Sequence, residues 1–152
     1  MHPALVSVAG WLGTWTGRGF GEYPTIAPFE YTETITLGHA GKPRMAYVQQ
    51  TWSVPEGGDL HAERGYWRRG ESGAAELVIA IGSGHVEISE GTWTPELLRV
   101  RSTAVVGSST AKSVVAIERV FHLDGDTINY ELAMAAVGQP MTHHLRAELH
   151  RT

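Results

Sequence analysis

Residues 29–37, Phe-Glu-Tyr-Thr-Glu-Thr-Ile-Thr-Leu, alternate between two faces. Phe29, Tyr31, Ile35 and Leu37 share one face, and Glu30, Thr32, Thr34 and Thr36 the other. A period of two is the mark of a half-buried strand. Comparable runs follow at residues 45–53, 60–68, 76–81, 85–90, 97–106, 113–123, 127–137 and 142–151, and a further strand opens at residues 13–19. Between them lie His39-Ala40-Gly41-Lys42-Pro43, Pro55-Glu56-Gly57-Gly58-Asp59, Gly82-Ser83-Gly84 and Asp124-Gly125-Asp126, all with hairpin chemistry. Nine or ten antiparallel strands joined by short loops predict an all-β chain, an up-and-down barrel of about ten strands, because closure removes exposed edges. A two-sheet sandwich is the alternative. One stretch, Pro3 to Trp11, carries Ala4, Leu5, Val8 and Trp11 at helical spacing and is placed to plug one barrel end. A barrel of this size has room for one small or medium ligand.

Composition narrows the chemistry. The 152 residues, read as a single domain over 1–152, are enough for a real core. Twelve basic residues against sixteen acidic ones leave no nucleic-acid footprint. There is no cysteine, which excludes disulfides, a thiolate nucleophile, zinc ribbons, iron–sulfur clusters and thiolate-held haem. A soft or borderline metal must then be held by histidine, methionine or tyrosine, and there are eight histidines. No basic segment leads into a long apolar run, and the longest uncharged stretches are too short to span a membrane. The expectation is a cytoplasmic protein without membrane partners.

Three features carry candidate chemistry. The first is the GxWxGxG run of Gly13, Trp15, Gly17 and Gly19. Its glycines let a strand bend and another backbone approach, and its tryptophan fills a barrel end, so it reads as a closure device. The second is residues 21–28, where two prolines and a glycine specify an ordered loop outside strand and helix, with the Thr25 hydroxyl at the barrel mouth.

The third is histidine. His2, His39, His122 and His150 read as surface residues, whereas His61 and His85 each follow a glycine turn. His143 and His144 open the last strand after Gly138-Gln139-Pro140. Neighbours in a strand face opposite ways, so only one of this pair looks inward. An inward histidine against an apolar pocket suits the fifth position of a haem iron. A hydrogen-bonded barrel histidine fits the pattern equally. His143 is in phase with Leu145, Ala147 and Leu149, so periodicity favours it over His144 as the buried residue. There is no GxSxG elbow, P-loop or HExxH. The carboxylates read as solvated strand positions. Glu63 is set aside as an acid–base partner of His61 on the ground that neighbouring strand residues diverge.

Taken together, residues 13–19, Tyr23-Pro24-Thr25-Ile26-Ala27-Pro28-Phe29, Gly41-Lys42-Pro43, Leu60-His61-Ala62-Glu63 with Gly65-Tyr66, and Gly138-Gln139-Pro140 with His144-Leu145 resemble the nitrobindins, in particular their mycobacterial-type members. The motifs occur in order over nearly the whole chain. The resemblance implies a ten-stranded barrel with one ferric haem b near a mouth, nitric oxide binding, and isomerisation of peroxynitrite to nitrate, which protects tyrosine from nitration. It places the axial ligand in the last strand immediately before a leucine, which is His144 here. That opposes the phase reading, and a local bulge at the barrel rim would reconcile the two. It also implies haem contacts at Thr25, at His61 on the open side, and at Met134, with no side chain required as acid or base. A monomer or a homodimer fits. The competing functions are a non-catalytic carrier of an apolar molecule and a haem-based nitric oxide sensor or store.

Overall fold

Ten antiparallel strands follow one another in chain order around a closed barrel in the computed structural model, which describes residues 1–39 and 41–152. They are β1 (Gly13–Tyr23), β2 (Ile26–His39), β3 (Arg44–Ser53), β4 (Asp59–Arg69), β5 (Ala74–Ile81), β6 (His85–Trp93), β7 (Leu97–Gly107), β8 (Val114–Asp124), β9 (Thr127–Ala136) and β10 (Thr142–Arg151). Ala40, in the predicted 39–43 turn, lies outside the described residues. β1 pairs with β10 from Trp15↔Arg151 to Gly21↔Leu145, so the sheet closes on itself and the sandwich alternative falls. The alternation read from the sequence is the inward–outward alternation of the barrel wall: in β3, Met45, Tyr47, Gln49 and Thr51 are buried in strict turn.

Residues 21–28 correct the expectation of a loop. β1 continues to Tyr23 and β2 begins at Ile26, leaving Pro24 and Thr25 as a tight turn. The register shifts between Gly21 and Tyr23, so Ala27 and Pro28 lie opposite the single residue Glu22. A bulge is where a strand tolerates proline, which has no N–H to give the ladder.

The Pro3–Trp11 segment is a 3₁₀ helix kinked at Val8. Leu5, Val8 and Trp11 are buried. They are spaced by threes, the 3₁₀ period, and so fall in one row. The segment caps the end formed by the β4–β5, β6–β7 and β8–β9 turns: the Arg69 guanidinium donates to the Ala4 carbonyl, the Trp11 indole to Thr94 O, and Arg151 to the Gly10 carbonyl. Beneath it Trp11, Trp67 and Trp93 meet edge to face, with ring centroids 5.8–6.3 Å apart. Trp15 of the GxWxGxG run belongs to this closed end, its indole bonded to Trp11 O and its ring covered by the Arg151 guanidinium at 4.1 Å. Among the described residues no helix is long and apolar enough to cross a membrane.

Candidate functional site

The other end is open. A cavity of about 580 Å³ lies there, bordered by the β1–β2, β5–β6, β7–β8 and β9–β10 connections, within the range of pockets that enclose a cofactor-sized ligand. Its walls are largely apolar, with Phe29, Leu60, Ile117, Leu132, Met134 and Leu145 among them. Thr25, His61, Met134 and His144 all line it. Their common location follows from topology, since each sits at or near a strand end on the same rim.

His144 owes its direction to a break in β10. The pairing runs His143↔Ala133 and then Leu145↔Leu132, so His144 is the extra residue of a β-bulge. The phase argument that favoured His143 assumes an unbroken strand, and the bulge removes that assumption. His144 lines the cavity. His143 does not, and its Nδ1 stands 3.7 Å from the Glu22 carboxylate. The His144 ring is held on three sides. Nδ1 donates to the Glu22 carbonyl at 2.9 Å, and the rings of Tyr23 and Phe29 stand edge-on at 5.4 and 6.3 Å. Burial lowers its pKa, against a smaller opposing effect of the Glu22 hydrogen bond, and favours neutral imidazole. With the proton on Nδ1, Nε2 carries the free lone pair.

The glycines of β1 prepare this wall. An added Cβ at Gly19 would lie 2.1 Å from the Tyr31 ring, and one at Gly21 2.2 Å from the Phe29 ring. The bare backbone is the surface on which these two rings lie, and Phe29 in turn backs His144.

Beneath the cavity lies a polar belt that sequence reading missed. Arg119 is buried and bonds two buried carboxylates at once: Glu63 at 2.9 and 3.0 Å, and Glu87 at 2.6 and 3.1 Å. Burial alone would raise the Glu63 pKa. The Arg119 guanidinium and His61 override it and hold this carboxyl well below the usual range. The Tyr47 hydroxyl donates to Glu63 as well, at 3.0 Å. On the far side Glu33 accepts from Tyr130 at 2.7 Å and from the Gln49 amide, with no cation bonded to it among the described residues. Burial pushes its pKa up to about 7.

These residues correct the expectation of solvated carboxylates. The available signal was phase: Glu33 lies between Tyr31 and Ile35 on the apolar face of β2, and Arg119 between Ile117 and Phe121 in β8. His61 and Glu63 are also corrected. They are two apart, not adjacent, so both face inward, with His61 Nε2 2.9 Å from Glu63 Oε1.

His85 is buried at the cavity edge with both nitrogens occupied. Nδ1 meets the Ser83 hydroxyl at 2.8 Å and Nε2 the Lys112 carbonyl at 2.7 Å, so it ties two mouth loops together. Lys112 brings a cation to the rim, in an irregular stretch where no periodicity could flag it. His39, His122 and His150 are exposed, and His2 caps the 3₁₀ segment.

A family model described as THAP4-like, heme-binding beta-barrel domain matches residues 4–151. The chain is 50% identical over 155 residues to peroxynitrite isomerase 2 of Mycobacterium avium (strain 104), covering 99% of this chain and 96% of that protein. It is 49% identical, with the same coverage, to peroxynitrite isomerase 1 of Mycolicibacterium paratuberculosis (strain ATCC BAA-968 / K-10). Among solved structures, that of Rv2717c from M. tuberculosis superposes with a TM-score of 0.92 at 44% identity, covering 99% of this chain and 98% of that one.

Proposed function

The chain belongs to the THAP4-like haem-binding β-barrel family, and from that premise we propose that it is a ferric haem b protein, axially held by His144, that binds nitric oxide and isomerises peroxynitrite to nitrate. Its relatives' names support the activity. The observation that carries the ligand assignment is His144 itself: a neutral imidazole on a bulge, oriented through Nδ1 and facing a large apolar cavity. The donor set fits a haem. Among the described residues no three histidine, aspartate or glutamate side chains are grouped to hold a bare ion. A metal at His144 must therefore bring most of its own ligands, as a porphyrin does.

When bound at His144, ferric haem would supply an electrophilic iron able to promote rearrangement of peroxynitrite. The chain's residues set the conditions. The Glu22 carbonyl fixes the His144 tautomer and plane and raises the basicity of Nε2. Leu132, Met134, Ile117 and Leu145 present apolar side chains to the cavity. Thr25 and Lys112 offer a hydroxyl and an ammonium at the mouth, suited to carboxylate groups of a cofactor. His61, held by Glu63 through Nε2, lines the cavity where a substrate anion would bind. No side chain need act as acid or base. Peroxynitrite converted to nitrate in this way would no longer nitrate tyrosine elsewhere.

Stopped-flow decay of peroxynitrite, with the nitrate yield measured, tests the activity. Haem-loaded protein should accelerate decay and raise the nitrate yield. Haem-loaded protein without acceleration would leave a nitric oxide sensor or store, and colourless protein carrying lipid would mean a carrier. Replacing His144 with Leu should abolish the Soret band, and a variant retaining a normal one overturns the ligand assignment.

A further inference from the structure

An unbroken series of aromatic rings leads from His144 into the barrel. Phe29 lies 6.3 Å from the His144 ring and 6.0 Å from Tyr31. The Tyr31 and Tyr130 hydroxyls are 2.8 Å apart. Tyr130 stands 5.1 Å from Phe121, which stands 5.0 Å from Trp67, and Trp67 touches Tyr47, Trp93 and Trp11 at 5.2–6.0 Å. Packing explains aromatic contacts. It does not explain Glu33, a buried carboxyl with no cation bonded to it among the described residues, set 2.7 Å from the Tyr130 hydroxyl, since burial of such a group costs stability.

Oxidation of a phenol by one electron makes its proton strongly acidic, so a buried tyrosine gives up an electron readily only where a base stands ready for that proton. The candidates differ sharply here. Tyr130 has Glu33. Tyr47 has Glu63, whose lone pairs Arg119 and His61 already occupy. The Trp67 and Trp93 indole N–H groups have no partner among the described residues.

We propose that Tyr31, Tyr130 and Glu33 form a one-electron sink for oxidising radicals that arise in the cavity. The inference rests on the peroxynitrite reading for the source of the radical, nitrogen dioxide, which O–O homolysis of peroxynitrite releases. In the step, nitrogen dioxide takes one electron from the tyrosine pair and leaves as nitrite. The Tyr130 O–H bond breaks, and its proton passes along the hydrogen bond to the Glu33 carboxylate. Tyrosine is oxidised to the phenoxyl radical, nitrogen dioxide is reduced, and the net charge is unchanged. A one-electron reductant from solvent, of the thiol or ascorbate class, restores the phenol. Tyr31 lines the cavity and relays the electron; Tyr130 lies behind it. The groups facing Glu33 are Gln49 of β3, His61 and Glu63 of β4, Tyr31 of its own strand and Tyr130 of β9.

The test generates nitrogen dioxide by pulse radiolysis of nitrite, so it does not depend on isomerase activity. It uses haem-loaded protein with the exposed Tyr66 changed to Phe, and the radical is read by freeze-quench EPR. A phenoxyl signal is expected. Tyr130→Phe should reduce its yield severalfold. Glu33→Gln should slow its appearance severalfold and abolish the rise in rate expected as pH increases through about 7. Glu33→Gln keeps the test decisive if Tyr130→Phe fails to fold. A parent protein without the phenoxyl signal, or a signal unchanged in both variants, overturns the proposal. A phenoxyl signal in a protein that does not turn over peroxynitrite leaves the sink standing and removes only the proposed source.

Discussion

At the capped end of the barrel Trp11, Trp15, Trp67 and Trp93 have no exposed surface, and the 3₁₀ segment that ends in Trp11 covers the others. At the open end the same alternating strands surround a cavity with a histidine at its edge. The wall is continuous between the two, yet the inner positions differ in kind. Large rings fill the space at one end. At the other, glycines 19 and 21 and the β10 bulge create it. Between them the Arg119 belt spans the interior with charge. The comparison teaches that stability and ligand chemistry are separated along the barrel axis, and that the belt is where they meet.

The largest break in that separation should come from Trp67→Ala. Trp67 contacts Trp11, Trp93, Tyr47 and Phe121, so its loss leaves a cavity that no neighbour can fill without moving others. The expected cost is about 3–5 kcal/mol, read as a fall in the denaturant midpoint. Haem affinity of the folded fraction should stay close to the parent's. If affinity falls in step with stability, the two ends are not independent.

Arg119→Met should come next. It leaves Glu63 and Glu87 buried without their cation, a change of the kind that costs about 3–5 kcal/mol, with proton uptake by one carboxyl softening it. Unlike Trp67→Ala it reaches the open end too, because Glu63 holds His61. The NMR signals of the His61 ring should shift in Arg119→Met and stay in place in Trp67→Ala. The opposite result would put the belt with the closed end alone.

Glu33 gives a third and smaller handle. Its pKa is raised from 4.5 to about 7 in the folded protein, so the folded state binds more protons than the unfolded one between these values. Stability should therefore fall as pH rises through that window and level off above it, by roughly 3 kcal/mol in all. Glu63 acts with the opposite sign. Its depressed pKa contributes stability that is fully present above the usual carboxylate range and is lost progressively as pH falls below that range. Glu33→Gln should flatten the decline near neutrality in urea titrations at several pH values, and a decline that persists would assign it to another group.

The sequence made the strands legible because a barrel wall repeats one rule, apolar in and polar out, for ten strands. Residues that obey two rules at once were harder. Glu33, Glu63 and Arg119 sit in phase with buried neighbours yet are ionisable, and only the distances show their partners: Arg119 bonds Glu63 and Glu87, and Tyr130 and Gln49 bond Glu33. Pro24 and Pro28 signalled a loop because proline usually ends a ladder, and the bulge at Glu22 that accommodates Pro28 leaves no mark in composition. Thr25, His61, Met134 and His144, which line one cavity, are grouped in the sequence by a resemblance rather than by a pattern. Phase pointed to His143, because a bulge is one extra residue and reverses every face assignment before it.

That reversal sets up the smallest expected effect. His143 and His144 are neighbours in chain, but the bulge sends one to solvent and the other to the cavity. His143 is partly exposed, and its 3.7 Å approach to the Glu22 carboxylate is a surface pair, worth about 0–1 kcal/mol. His143→Leu should thus move the unfolding midpoint little and leave the Soret band of the haem-loaded protein in place, whereas His144→Leu loses it. The pair of variants isolates the bulge, since composition, strand and distance from the rim are otherwise shared. If His143→Leu bleaches the band and His144→Leu preserves it, β10 runs in unbroken phase when haem is bound, and the open end is built by the same simple alternation as the closed one.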